Sequence, residues 1–349
     1  MRIKLKDIAE AANVSVATVS LALNNKKGVS KIKREEIISV ARRLGYKFEE
    51  HHPDEQANVI RFVIYKRHGY VVSDTPFFSN LIEGMQRECR DNDYEMVISH
   101  ITKNEENYQE IIEDIKNDRA CGIIILATEM YQNDLDYFRG INKPLILLDS
   151  YLKHEDYDFI LINNTSAAYK ATNYLINNNH RKIGYLHSSV HINNFYYRQQ
   201  GFREALSDHG LEFDPGYLFE LEPTLEGSYK DMKALLSGRL HHLPTAFFAD
   251  NDIIAFGALR AMKEFGLKIP EDISIIGFDD MPYCLISNPR LTTIRVFKHD
   301  IGRLAVKRLL EKIKLADEVI QKIEVATELV ERESVKRLAG VIPDGERNQ

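Results

Sequence analysis

Two sets of residues in this 349-residue chain have the types and spacing for recognition chemistry. The first is contiguous. Residues 4–24 read KLKDIAEAANVSVATVSLALN. Leu5, Ile8, Ala9 and Ala12 recur at helical spacing, Asn13-Val14-Ser15 breaks the run, and Ser15 is a good N-cap for a second helix from Val16 to about Leu23. Val14, Val19 and Leu23 fall where they pack the second helix on the first. Val16, Ala17, Ser20 and Leu21 then face outward at the end that a helix-turn-helix presents to the major groove of DNA. A third run, Lys31 to Leu44, offers Ile37, Ile38, Ala41 and Leu44 as an inner face. Residues 1–45 hold ten Lys/Arg and four Asp/Glu, a balance of +6, whereas the whole chain is −6. A basic block on an acidic body suits phosphate contact by one small domain. The alternative, a surface helical hairpin with solvated lysines, must explain why cap, turn, spacing and charge all agree.

The second set is scattered. Asp149 ends the apolar run PLILLD, Asp279 ends ISIIGFD, Asn251 follows AFFAD, Arg198 lies in YYRQQGF at a helix start, and Phe77 and Phe78 begin another helix. A sugar needs such a kit: planar charged groups for paired hydroxyls and aromatic faces for the C–H side of the ring. Singly, the residues have plainer readings. Asp149 and Asp279 could be caps at strand ends. Phe77 and Phe78 could be core, with one of them packing inward. Asp252, ahead of Ile253-Ile254-Ala255, is expected to be a helix N-cap rather than a ligand contact. Arg198 suits no apolar or capping role. Lys66, Arg67 and His68, in YKRHGYVVSD, read as a solvated loop, with the cleft as the alternative destination. The sequence has no GxSxG, GxxxxGK[ST], GxGxxG or HExxH motif, and the adjacent pairs His51-His52 and His241-His242 do not share a helix face. The expectation is a non-enzyme with no metal and no cofactor.

These residues must be positioned by a larger scaffold. From Val59 the chain alternates: strands at 60–65, 95–99, 122–126, 144–149 and 159–163, then 182–187, 217–221, 245–250 and 273–279, with helical stretches between them. LTTIRV (291–296) is a further strand, Ile301 to Ile313 a helix, and VATELVERES (325–334) a final strand. This βα repetition argues two doubly wound parallel sheets. KFEEHHPDEQAN reads as a linker, and the tail from Arg337 as frayed. No apolar run approaches the roughly 20 residues of a membrane helix. The N-terminus lacks a signal-peptide apolar region, and Cys89, Cys121 and Cys284 stand far apart with no CxxC. The expectation is a cytoplasmic protein with buried thiols.

The motifs DIAEAANVSVATVSLALN, VSKIKREEIISVARRLGY, TPFFSNLIEGM, NNNHRKIGYL, YYRQQGFREAL, ADNDIIAFGALRAMKEFGLKIPEDISIIGFDD and NPRLTTIR occur in that order. The chain thereby resembles the lactose-repressor/galactose-repressor (LacI/GalR) family of bacterial transcription regulators over roughly 4–46 and 59–334. The resemblance implies an α/β fold: an N-terminal all-α helix-turn-helix domain (1–46), a linker or hinge (47–58), and a core (59–334) shaped like a periplasmic sugar-binding protein. Its subdomains would be 59–160 plus 291–322, and 161–290 plus 323–334, joined by three crossovers and followed by a tail (335–349). The resemblance implies Asp149, Arg198, Asn251 and Asp279 as polar ligands of a small effector, with Phe77 and Phe78 in the pocket wall.

At the DNA end it implies base-edge contact by Val16, Ala17 and Leu21, where the family often has Arg at the last. Apolar side chains meet a thymine methyl but cannot make the bidentate guanine contact of an arginine. Ser15, Thr18, Ser20, Asn24, Lys31 and Arg34 are the phosphate-contact candidates. The linker departs from the family pattern: Glu49, Glu50, Asp54 and Glu55 surround Pro53, and no leucine stands ready to wedge into the minor groove. The expected function is a sugar-responsive repressor that binds operator DNA as a homodimer or tetramer. The alternatives are a family member governed by a partner protein, a sugar-binding protein without DNA function, or an α/β enzyme.

Overall fold

The computed structural model describes residues 3–23, 29–46, 58–72, 76–239 and 242–339, apart from the side chains of Lys31 and Arg239. Of the expected linker and hinge, 47–58, residues 47–57 with the pair His51-His52 lie outside the described residues. The chain divides into two compact units, Met1–Asn58 and Val59–Gln349.

The described residues of the small unit form three helices, α1 (Leu5–Ala11), α2 (Val16–Leu23) and α3 (Lys31–Arg43). Ile8, Ala9, Val19, Ala22, Ile37 and Ala41 close one apolar cluster. The α1–α2 turn uses Asn13 in the left-handed region, φ 51°, which Asn tolerates better than most residues. Ser15 caps α2, its Oγ accepting the Thr18 N–H at 3.0 Å. Ser30 caps α3 by accepting from Lys33 N at 3.4 Å.

Among the described residues the large unit holds two six-stranded sheets. The first series is β1 (Val59–Lys66), α4 (Pro76–Asp91), β2 (Glu95–Thr102), α5 (Tyr108–Asn117), β3 (Gly122–Leu126), β4 (Leu145–Leu148) and β5 (Asp158–Ile162). The second is α6 (Asn164–Asn177), β6 (Ile183–Ser188), α7 (Asn193–Asp208), β7 (Leu218–Leu221), α8 (Leu225–Arg239), β8 (Ala246–Ala249), α9 (Asp252–Glu264), β9 (Ser274–Asp279) and β10 (Thr292–Arg295). The chain ends with α10 (Lys298–Leu315), β11 (Lys322–Val325) and β12 (Glu328–Val330). The sheet orders are β2-β1-β3-β4-β5-β11 and β7-β6-β8-β9-β10-β12, and β12 alone runs antiparallel, against β10. Strands such as Gly122–Leu126 are buried throughout because helices cover both sheet faces, so they read as unbroken apolar runs. Helices α4 and α10 cross at paired glycines. A Cβ on Gly84 would lie 2.1 Å from the His299 carbonyl oxygen, and one on Gly302 2.2 Å from that of Leu81.

The structure departs from the expected reading in four places. The element between β3 and β4 is a 3-10 helix, Gln132–Phe138. The stretch read as one final strand is two short strands on different sheets: β11 pairs β5 and β12 pairs β10. The segment 291–322 was expected in the first subdomain, but β10 hydrogen-bonds β9 in the second sheet, and only α10 and β11 return to the first. The crossovers therefore fall at Asn163, between Arg295 and Lys298, and between Val325 and Glu328. Arg308, nearly fully buried, fastens the return: its Nε donates to Asp158 Oδ1 at 2.6 Å and its Nη1 to Asp317 Oδ2 at 2.5 Å. The start of the tail is not frayed either. Leu338 N donates to the Asn178 carbonyl at 2.9 Å, and buried His180 lies 3.1 Å from the Lys336 carbonyl.

Candidate functional site

A cleft of about 300 Å³ opens between the two sheets of the large unit, at the carboxyl ends of their strands, where open α/β sheets hold ligands. All six residues singled out from the sequence line it: Phe77, Phe78, Asp149, Arg198, Asn251 and Asp279. Gly69, Tyr70, Val71, Thr128, Ile192, Asn194, Phe195, Leu225 and Met281 are among the other lining residues.

Arg198 is fixed in plane and position. Its Nε donates to Asn164 Oδ1 at 2.8 Å, and its Nη1 donates to the Asp250 carbonyl. The guanidinium carbon sits 3.6 Å from the centre of the Phe278 ring, and Nη2 is 3.7 Å from Asp279 Oδ1. The side chain is buried, so its remaining N–H donors are held ready in a site of low dielectric.

Neither strand-end aspartate caps a backbone N–H among the described residues. Asp149 accepts from the Thr128 hydroxyl at 2.7 Å and from Asn194 Nδ2 at 3.2 Å, and Asn194 also donates to its carbonyl at 2.8 Å. Asp279 Oδ1 is buried and has no hydrogen-bond partner among the described residues. Both residues adopt φ values in the left-handed half of backbone space, 65° and 110°. Such strain persists where the surroundings over-determine it. Burial pushes the Asp149 carboxyl up to about 6 against the pull of Thr128 and Arg198, and pushes Asp279 up to about 6 against Arg198 and Lys298.

The expected capping role moves by one residue. Asn251 is the N-cap of α9, its Oδ1 accepting Ile254 N–H at 2.9 Å, and it lines the cleft as well. Asp252 is fully buried beneath. It accepts from Thr293 Oγ1 at 2.6 Å, Met281 N at 2.8 Å and Cys284 Sγ at 3.1 Å, which ties α9 to β10 and to the segment after β9. Both phenylalanines pack inward into the core and both also line the cleft, in edge contact at 5.0 Å between ring centres, so core and wall are not alternatives here.

The loop after β1 is not simply solvated. Residues 67–72 wrap the buried carboxylate of Glu129, a residue the sequence reading missed, and present Gly69, Tyr70 and Val71 to the cleft. Arg67 pairs with Asp134, which Lys103 also meets, and its guanidinium lies 3.9 Å over the Tyr131 ring. In the second half, Asp250 plays a related part. Its carboxylate accepts from the Tyr185 hydroxyl at 2.6 Å and Ser188 N at 2.7 Å, with His187 Nδ1 at 2.7 Å.

On the small unit, Ser15, Val16 and Ala17 are exposed and Thr18, Ser20, Leu21 and Arg34 are half-buried. The Ser15 and Thr18 hydroxyls lie 2.8 Å apart, so each is already the other's partner. Asn24 and the Lys31 side chain lie outside the described residues, as does His241. The three cysteines are buried and free. Among the described residues no group of three or more His, Cys, Asp or Glu side chains could hold a metal ion, and no helix is long and apolar enough to cross a membrane.

Residues 4–48 match the family described as bacterial regulatory proteins, lacI family, and residues 172–335 match the periplasmic binding protein-like domain. The chain is 31% identical to the HTH-type transcriptional repressor PurR of Mannheimia succiniciproducens over 338 residues, covering 96% of this chain and 99% of that protein. It is 31% identical over 337 residues to the ribose operon repressor of Haemophilus influenzae, with the same coverage of 96% and 99%. The fold is that of a lac repressor dimer bound to operator and the anti-inducer ONPF, at TM-score 0.73 and 22% identity over 96% of this chain and all of that one. A complex of the transcriptional regulator CelR with cellobiose matches equally well, at TM-score 0.73 and 22% identity, over 95% of this chain and all of that one.

Proposed function

The chain belongs to the lacI family of bacterial regulatory proteins, DNA-binding transcription regulators, and on that premise we propose that it is a repressor whose effector is a small sugar held in the cleft. The observation that carries the proposal is the convergence, in one buried site, of a stacked and immobilised guanidinium, two strand-end carboxylates and two aromatic rings. Arg198 Nη2 and Asp279 Oδ1, an ion pair whose oxygen accepts no hydrogen bond among the described residues, offer a donor and an acceptor 3.7 Å apart, a spacing that vicinal hydroxyls span. Phe77 and Phe78 offer apolar faces for the ring. Asp149 and Asn251 supply further acceptors and donors.

Residues 1–46 are assigned to DNA and the core to effector and dimerisation. Val16, Ala17 and Leu21 meet base edges, with Ser15, Thr18, Ser20, Asn24, Lys31 and Arg34 toward phosphates. Two copies supply two helix-turn-helix heads for a symmetric operator. The cleft is built half from each sheet, so a ligand that bridges the halves favours the closed arrangement and can thereby couple to DNA affinity. The protein acts in the cytoplasm, where its operator is.

A thermal-shift screen with pentoses and hexoses, paired with operator binding with and without the best stabiliser, tests the proposal. Stabilisation by a sugar together with a change in operator affinity is the expected result. A sugar that stabilises a chain lacking residues 1–58, while that truncated chain no longer binds DNA, supports the division of labour. Sequence-specific, salt-sensitive DNA binding by the truncated chain overturns it.

A further inference from the structure

Glu129 is completely buried, yet among the described residues no arginine or lysine side chain pairs with it. Its Oε2 accepts backbone N–H groups from Arg67 at 2.9 Å, His68 at 3.1 Å and Gly69 at 2.8 Å. Its Oε1 accepts those of Val71 at 2.9 Å and Val72 at 2.8 Å. Five main-chain donors from one short run converge on one carboxylate. A concave array of successive N–H groups is the device by which proteins hold phosphate and other anions. Gly69, at φ 73°, supplies the backbone conformation that turns the array inward. Burial alone would raise the Glu129 carboxyl. The His68 side chain and the N–H groups of Val72, Gly69 and His68 outweigh burial and hold it down to about 2.

The loop's other face is cleft wall. Gly69, Tyr70 and Val71 line it, opposite a lining that carries two carboxylates, Asp149 and Asp279, against the single guanidinium of Arg198. That guanidinium is already committed in part to Asn164 and Asp250. We propose that Glu129 is an internal anion that fills a backbone nest behind the cleft wall, holding residues 69–71 in place and restricting the effector to molecules without a phosphate or carboxylate group. Glu129 is a positioning residue: it touches the loop and not the ligand. A tethered carboxylate outcompetes any free anion for the same N–H groups, because it needs no loss of translational freedom to bind. An anionic ligand therefore meets two carboxylates and a nest already occupied. The inference narrows the sugar reading and rests on it for what occupies the cleft.

The full-length protein tests both parts. In Glu129→Ala the nest is empty, and amide exchange at 67–69, 71 and 72 should quicken about tenfold or more as the local opening free energy falls. Formate should slow that exchange again and raise the melting temperature of the variant more than that of the native protein. In Glu129→Gln, which fills the space but turns an amide N–H₂ toward the donors, exchange should quicken without formate rescue. That variant carries the measurement should Glu129→Ala fail to fold. For the ligand, D-ribose against ribose 5-phosphate, and D-glucose against glucose 6-phosphate, are compared by thermal shift on the native protein. The neutral member of a pair should stabilise more than its phosphate ester. Exchange at 67–72 that is the same with and without Glu129 overturns the nest, and greater stabilisation by a phosphate ester than by its neutral parent overturns the restriction. If formate rescue succeeds while neither neutral sugar binds, the nest stands and the sugar reading is the part that fails.

Discussion

The two halves of the core meet the cleft with matching parts used differently. Asp149 follows β4 and Asp279 ends β9, and these strands hold the same place in their sheets' orders. Both residues take positive φ. Asp149, however, is satisfied by Thr128 and Asn194, whereas Asp279 keeps an oxygen without a partner among the described residues. The loops after the first strands show the same contrast. Glu129 holds its loop through five main-chain N–H groups. Asp250 holds its own through one, Ser188 N, with a tyrosine and a histidine, and lends its carbonyl to Arg198. The first half is a wall set by backbone. The second half is a set of side chains in which the cleft-lining Arg198 is one link. Substitutions should therefore act on shape in the first half and on recognition in the second.

The largest expected effect is at Arg198. Replacing it with Ala removes a fixed, charged donor and exposes Asp279 to uncompensated burial. Effector affinity should fall by about a hundredfold or more, in the range of 3 kcal/mol for a buried charged hydrogen bond. Operator binding without effector should persist, since the helical unit forms its own cluster around Ile8, Val19 and Ile37. Calorimetric titration and a DNA-binding assay on the same sample check both. Unchanged effector affinity would break the assignment of recognition to the second half.

The paired aspartates come next. Asp279→Asn should weaken effector binding by about tenfold, or 1.4 kcal/mol. Asp149→Asn, whose carboxylate is already occupied by Thr128 and by Asn194 from across the cleft, should weaken it by less. Equal losses would mean that the contrast between the halves does not reach the ligand.

A pH series sharpens the same point. The carboxyls of Asp149 and Asp279 stand at about 6 in the fold against 3.8 as free groups. A raised carboxyl contributes stability that is full below the unfolded value and is lost as pH rises through the folded one. Glu129 is the opposite case, at about 2 against 4.5, so its contribution holds above 4.5 and is lost on falling toward 2. The ligand-free core should thus be more stable near pH 5 than near pH 7.5, and Asp279→Asn should flatten that difference. Effector affinity should run the other way, falling between pH 7 and 5 as the two acceptors take up protons. Equilibrium denaturation and titration at each pH provide the readouts.

What the sequence disclosed follows from this contrast. Asp149, Asn251 and Asp279 could be read because each stands at or just past the end of a plainly apolar run, and Arg198 because no apolar or capping role suits a guanidinium there. Glu129 could not be read, because its partners are backbone N–H groups some sixty residues earlier, and main-chain donors leave no residue-type signal. Its nearest clue was Gly69 in KRHGYVV. The Asn251-Asp252 exchange of roles also lay beyond local pattern. Both residues are good caps, and only the tertiary demand of Thr293 and Met281 draws Asp252 inward. The alternation of strand and helix gave both sheets, but β11 and β12 read as one strand because two residues separate them, Ala326 and Thr327, and neither breaks a β pattern.

The smallest expected effect separates the two histidines. His187 Nδ1 lies 2.7 Å from Asp250, which has a single main-chain donor, whereas His68 Nδ1 lies 3.2 Å from Glu129, which has five, and His68 Nδ1 is itself the acceptor of the Tyr70 N–H at 3.2 Å. Burial works to lower the His187 value, and the Asp250 carboxylate outweighs it, so the group titrates above 6.5. Its contribution is complete below 6.5 and disappears as pH rises through the raised folded value. His187→Gln should cost about 1 kcal/mol of core stability at pH 6, the upper range for an ion pair that is not fully buried, and nearly nothing at pH 9. His68→Gln should cost less than this at pH 6, because five N–H groups still satisfy Glu129 without it. Denaturant titration of both variants at the two pH values decides the matter. If His68→Gln proves the costlier at pH 6, the first half depends on its side chains as much as the second, and the distinction between a backbone wall and a side-chain recognition face is lost.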